Sequence, residues 1–183
     1  MKIFLIRHAK VNCPMPKVCD AKGFDKARAE YDVSPIHEVT QKLDGAKYNE
    51  KHFRFYVSTL QRTHDTLRGR IGDVAFTETD LLTEVPNRSV ADLPLQLPYP
   101  CWQALGRVQW FLNAKRQPEG KAGTERRARE LVSMLEQKNE DCVLVSHEFY
   151  LYTLLRVLKQ NGFRVKRNRR GRIRNLEMIV AVK

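Results

Sequence analysis

Apolar residues fall in short runs along this chain, each closed by a charged or small polar residue. Ile3-Phe4-Leu5-Ile6 lies between Lys2 and Arg7, Phe53-Arg54-Phe55-Tyr56-Val57 ends at Ser58, and Cys142-Val143-Leu144-Val145 ends at Ser146. Runs of this length predict short buried strands at about 2–7, 53–58 and 142–146, with weaker ones at 73–77 and 176–182. Helical spacing fills the gaps. Leu60, Leu67 and Ile71 mark one helix with Ser58-Thr59 as its N-cap, and Ala128, Leu131 and Leu135 share a face of a second, capped by Thr124 and running to about Lys138. A third follows His147, with Tyr152, Leu155, Val157 and Leu158 above a stop at Asn161-Gly162. Strands alternating with helices over 183 residues predict one α/β domain spanning 1–183, a three-layer α/β/α sandwich with a mostly parallel central sheet.

That architecture says where chemistry would sit. In open α/β sheets, ligands bind beyond the carboxyl ends of the strands. Arg7-His8 leaves the first strand there, His147 leaves the 142–146 strand, and Arg62 lies in the first helical turn after Ser58. Free N–H groups and the positive end of a helix favour anions at such a point. Two histidines and two arginines are thus delivered towards one mouth.

The motifs LIRHAK, STLQRTHDTL, LLTEV and LVSHE carry a resemblance to the histidine phosphatase superfamily, the phosphoglycerate-mutase-like phosphatases. The family pattern is strand-Arg-His-Gly, Ser-x-x-x-Arg-x-x-x-Thr, Leu-x-Glu and Ser-His-Gly, and order and spacing agree from Lys2 to His147. The resemblance implies hydrolysis of a phosphomonoester through a phosphohistidine on His8. It implies that Arg7 and Arg62 clamp the phosphoryl oxygens, with His147 as a further donor and Asn12 as a phosphate-binding residue. Glu84 takes the family's proton-donor position. The residues alone leave Glu78 and Asp80 as equal alternatives. Neither metal nor cofactor is implied. Departures bear on substrate recognition: Ala9 replaces the usual glycine, Lys10-Val11 replace Glu-Thr, Asn12 sits closer to the histidine than usual, and Glu148-Phe149 replace glycines.

Four prolines between Pro86 and Pro100, interspersed with Leu93, Leu95, Leu97 and Tyr99, predict an irregular apolar segment there. With the Trp-rich helix that follows, it is expected to form a lid at 85–115 over the phosphate pocket, or else to pack on the core without a role. The chain carries 33 basic against 21 acidic residues, a formal charge of +12, with much of the excess at 164–174. That run is expected to steer an anionic phosphorylated substrate. Binding of nucleic acid or an anionic membrane is a less favoured use, since aromatics for base stacking are missing from the run. Cys13, Cys19, Cys101 and Cys142 lack CxxC or metal-like spacing. With only four apolar residues before Arg7, no signal peptide is read, and a reducing, cytoplasmic setting is expected. Two other readings stay open: a phosphoglycerate-mutase-type phosphotransferase, or a catalytically weak anion- or nucleic-acid-binding module on the same fold.

Overall fold

The computed structural model describes residues 1–43, 53–167 and 171–183. In chain order the elements are β1 (Lys2–Arg7), β2 (Val18–Cys19), α1 (Ala21–Val33), β3 (Arg54–Val57), α2 (Gln61–Ile71), β4 (Thr77–Glu78) and a 3₁₀ turn (Asp80–Leu82). There follow β5 (Leu97–Pro98), α3 (Tyr99–Phe111), α4 (Lys121–Lys138), β6 (Cys142–Ser146), α5 (Glu148–Gln160), β7 (Arg164–Lys166) and β8 (Met178–Val182). Six strands make the main sheet in the order β4-β3-β6-β1-β8-β7. The first four are parallel, whereas β8 runs antiparallel to β1 and β7 antiparallel to β8.

Unbroken apolar runs are what a sheet covered on both faces requires. Ile3 and Leu5 of β1 and Cys142 and Leu144 of β6 join one core with Leu131 and Leu135 of α4 and Leu151, Leu154 and Leu158 of α5. Their neighbours Ile6, Val143 and Val145 turn to the other face and meet Phe55, Val57, Leu67 and Ile71. The three-layer sandwich with a mostly parallel sheet is therefore present. The register brings Arg7 opposite Ser146, so His8 and His147 leave adjacent central strands in step.

Several local readings are corrected. The expected 73–77 strand shrinks to Thr77–Glu78, because the chain leaves α2 through Gly72 at φ 108° and reaches β3 only at those two residues. Ser58-Thr59 does not cap α2, whose N-cap is Leu60 with no side-chain hydrogen bond. Thr124 does not start α4 either. Gly120 does, and the Thr124 hydroxyl donates back to the Gly120 carbonyl at 3.1 Å while accepting from Trp110 Nε1. The proline segment is irregular to about Gln96, but Pro98 and Pro100 begin elements: a proline at a helix's first turn loses no hydrogen bond.

Helix α1 had no counterpart among the expected elements. It is capped by Asp20, whose carboxylate accepts from the Gly23 amide at 2.8 Å. β2 and β5 pair into a small ribbon that draws the starts of α1 and α3 together, and Phe24, Ala27, Tyr99 and Trp102 fill a third core between them. Trp102 is fully buried and its indole N–H donates to the Cys19 carbonyl at 2.9 Å. This unit stands over the sheet edge and supplies the second wall of the cleft. Among the described residues no helix is long and apolar enough to cross a membrane.

Candidate active site

His8 lies one residue beyond β1 and is 2% exposed. Its amide donates to the Ser146 carbonyl at 2.9 Å, extending the β1–β6 pairing past the last strand residue. Its Nδ1 sits 2.6 Å from the Ala9 carbonyl. A carbonyl only accepts, so Nδ1 carries the proton and Nε2 keeps its lone pair. Burial first and then the Arg62 charge push the His8 pKa down to about 3, the Ala9 bond opposing them and Arg7 adding a smaller push. The ring is neutral at ordinary pH, with one nitrogen fixed and the other available.

His147 is fully buried, and its ring centroid lies 5.0 Å from that of His8. Arg62 Nε donates to His147 Nδ1 at 3.2 Å, which leaves Nε2 as the N–H that donates to Ser58 Oγ at 2.6 Å. The Ser58 hydroxyl can then donate to Thr63 Oγ1 at 3.2 Å, and Thr63 donates to the Ser58 and Leu60 carbonyls. Burial first, then His8 and Arg62, hold His147 well below its ordinary pKa. Both ring nitrogens are thus engaged within the protein. The expected donor from His147 to a phosphoryl group is not presented in this arrangement; the ring instead fixes Arg62.

Arg62 is also held at Nη1 by Asp32, 3.0 Å from its carboxylate, and stacks on the Tyr31 ring at 5.1 Å. Its Nη2 makes no hydrogen bond to the described residues, while the side chain lines the cleft. Arg7 is anchored through Nη1, which donates to the Ile173 carbonyl at 2.6 Å and lies 2.9 Å from Glu148. Its Nε is buried without a partner, a donor left for something the protein does not supply. Burial lowers the Arg7 pKa, against the opposing pull of Glu148.

The chain between β7 and β8 completes this corner. Asn175 Nδ2 donates to the His8 carbonyl at 2.8 Å, and the Leu176 amide to the Arg7 carbonyl at 3.0 Å. Leu176 adopts φ 61°, a left-handed conformation that costs a branched side chain energy and is kept where surrounding structure demands it. The basic run expected to steer an anionic substrate is therefore partly structural. Arg164–Lys166 form β7, Arg167 pairs with Glu177 and Arg172 with Glu148. Residues 168–170 of that run lie outside the described residues.

Glu84 lines the same cleft. Its carboxylate accepts from the amides of Val85, Phe149 and Tyr150 at 2.9, 3.3 and 3.0 Å, so it caps the start of α5 from another segment. The alternatives lie elsewhere. Glu78 lies 3.0 Å from His64 Nε2, and Asp80 borders a separate depression beside α4. Asn12 is not brought in: it is exposed, its amide donates to the Pro35 carbonyl, and it does not line the cleft. The turn that brought Asn12 close to the histidine in sequence carries it outwards.

The cleft has a volume of about 550 Å³ and is lined by five arginines against two glutamates. Such an excess suits an anionic ligand. Three of the five, Arg28, Arg107 and Arg172, were not among the expected site residues, nor were Tyr31 and Glu148. Arg107 was within sight, since α3 was expected as a helix of the lid. Arg28 and Tyr31 sit on the unanticipated α1. Glu148 showed itself as a departure from the Ser-His-Gly pattern and binds both Arg7 and Arg172.

No family model matches the chain, and no curated protein matches it. Solved structures do. A phosphoserine phosphatase from Entamoeba histolytica with phosphoserine bound shares 14% identity over 98% of this chain and 89% of its own, at a TM-score of 0.52. The fold is phosphoglycerate-mutase-like. A structure titled mycobacterial hydrolase 1 shares 19% identity over 87% of this chain and 78% of its own, at a TM-score of 0.55. A Mycobacterium tuberculosis open reading frame product shares 18% over 87% and 80%, at 0.51. At these identities the likeness is one of fold, and it agrees with the histidine phosphatase resemblance read from the motifs.

Proposed function

We propose that the protein is a phosphatase of the histidine phosphatase type, hydrolysing a phosphomonoester through a covalent phosphohistidine on His8. The observation that carries this reading is the state of the His8 ring: neutral, its Nδ1 proton fixed on the Ala9 carbonyl, its Nε2 lone pair set beside two arginines. A buried imidazole held this way is a nucleophile that needs no deprotonation.

In the first step Nε2 attacks phosphorus, the N–P bond forms and the ester P–O bond breaks. Arg62, through the Nη2 left unengaged, and Arg7 meet the negative charge on the equatorial oxygens, where forked guanidinium groups fit a phosphoryl group. Glu84 delivers a proton to the departing alkoxide. In the second step Glu84 accepts a proton from water, the water oxygen bonds to phosphorus, and the N–P electron pair returns to Nε2. Keeping Nδ1–H on Ala9 throughout stabilises the positive charge that develops on the phosphorylated ring. His147 has a positioning part, holding Arg62 through the chain that ends at Thr63. Fold likeness to a phosphatase with bound phosphoserine supports the reaction class.

The test is hydrolysis of an aryl phosphate in the presence of a chelator. The wild-type protein is expected to turn it over and His8→Ala to be inactive. Rapid base quench followed by mass spectrometry should find a phosphate of acid-labile character on the peptide holding His8. Unimpaired turnover by His8→Ala would overturn the reading.

A further inference from the structure

The chain enters Glu84 through a single 3₁₀ turn, Asp80–Leu82, followed by Thr83. So short an element satisfies few of its own carbonyls, and the others need donors from elsewhere. Two other elements supply them. Arg127 of α4 donates from Nη1 to the carbonyls of Asp80, Leu81 and Thr83 at 3.2, 3.3 and 2.6 Å. The Ser146 hydroxyl at the end of β6 donates to that of Leu82 at 2.6 Å. All four carbonyls leading into Glu84 are thus held by side chains from outside the turn.

The Arg127 guanidinium is itself fixed. Its Nε and Nη2 donate to the two carboxylate oxygens of Glu119 at 3.1 and 2.8 Å, a forked pair in which the side chains are only 16% and 19% exposed. The group also lies over the Tyr150 ring, 4.4 Å from its centroid. Tyr150 is fully buried, and its amide is one of the three that donate to the Glu84 carboxylate. Arg127 therefore touches both supports of Glu84, the chain that precedes it and a residue whose N–H grips it. It borders the separate depression beside α4 and not the cleft, so it has no place in contact with substrate. Resting on the phosphatase reading above, in which Glu84 handles the leaving-group proton, we infer that Arg127 is a positioning residue for that carboxyl. Tying residues 80–83 to Tyr150 sets where Glu84 stands relative to the departing oxygen, and proton transfer depends steeply on such placement.

Two esters of similar shape test this. Phenyl phosphate has the poorer leaving group and needs the proton, whereas nitrophenyl phosphate departs with little help. The ratio kcat/KM reports phosphorylation of the enzyme, the step in which the leaving oxygen takes its proton. Arg127→Ala is expected to lower kcat/KM about tenfold or more on phenyl phosphate and no more than about threefold on nitrophenyl phosphate. A support that served folding alone would lower both alike. Arg127→Lys should recover part of the selective loss, since an ammonium keeps the charge but not the planar fork. Glu84→Gln sets the scale: it should show the same selectivity more strongly, and adding Arg127→Ala to it should cost little more. Should Arg127→Ala prove unfolded, Glu119→Gln, which loosens the far side of the fork, takes its place with a smaller loss of the same selectivity. Equal falls on the two esters while Glu84→Gln stays selective would overturn the positioning role and leave the phosphatase reading standing. A wild-type protein inactive on both esters, or a Glu84→Gln protein indifferent to the leaving group, would overturn it together with that reading.

Discussion

The cleft has two walls built by different means. One is the carboxyl edge of the sheet, where His8 and His147 directly follow β1 and β6, Arg62 stands in the first turn of α2 after β3, and Arg62 and His147 are joined by a hydrogen bond. The other is the α1–α3 unit, held by the small β2–β5 ribbon and its own core around Trp102, which brings Arg28, Tyr99 and Arg107. The first wall ties Arg62, His147 and Ser58 to one another and leaves Arg7 Nε and His8 Nε2 facing no protein partner among the described residues. The second holds Arg107 on the Val85 and Pro86 carbonyls and sets Arg28 over the Tyr31 ring. The sheet edge is tied together by side chains close to strand ends, and the facing wall by a core of its own.

Substitutions can separate the walls. Trp102→Ala should cost about 3–5 kcal/mol, because it empties the core joining α1 to α3 and orphans the Cys19 carbonyl. Denaturant unfolding would read the loss, and residual aryl phosphate turnover should survive where protein stays folded. Arg62→Ala does the reverse. It should leave a folded protein whose barrier rises by about 3–4 kcal/mol, a fall in kcat of roughly 10²–10³-fold. Equal damage to activity from both changes at equal fold content would mean the walls are not separate.

Acid probes the sheet edge alone. The folded chain holds His8 at about 3, whereas an unfolded histidine titrates near 6.5. Between those values the unfolded chain binds the extra proton, so stability rises with pH across the window and is lost on acidification through it. At pH 4 the loss from His8 is roughly 3 kcal/mol relative to pH 7, and His147 adds to it with the same sign. Urea midpoints at the two pH values would measure this, and His8→Asn should flatten the dependence. For the same reason the acid limb of kcat/KM attributable to His8 should fall well below 6.5. The smallest effect is expected at Asn175→Ala. It frees the His8 carbonyl at a cost of about 1 kcal/mol, and should lower kcat more than it raises KM.

The same division governs what the sequence made legible. Arg7, His8, Arg62 and His147 could be read because each lies within a few residues of a strand end, so local pattern alone fixes its address. Glu84 needed the fold. It differs from Glu78 and Asp80 only in where the 3₁₀ turn and the Ser146 hydroxyl, which donates to the Leu82 carbonyl at 2.6 Å, bring the following residues. Helix α1 escaped because its buried positions are Ala21, Phe24 and Ala27, two of them too small to stand out among ten mostly polar neighbours. Without α1, neither Arg28 nor the Asp32 that holds Arg62 could be placed. Asn12 was implied by the family pattern, and its departure from the usual spacing goes with an exposed position away from the cleft. The antiparallel direction of β8 was equally hidden, since an apolar run carries no sign of its direction.

The late position of β8 sets an order of assembly. Asn175 and Leu176 tie down the backbone of Arg7 and His8, and β8 zips along nearly the whole of β1. The backbone that carries His8 is therefore fastened by a residue 167 positions downstream, so β1 cannot take its final place in the sheet before β8 is available to pair with it.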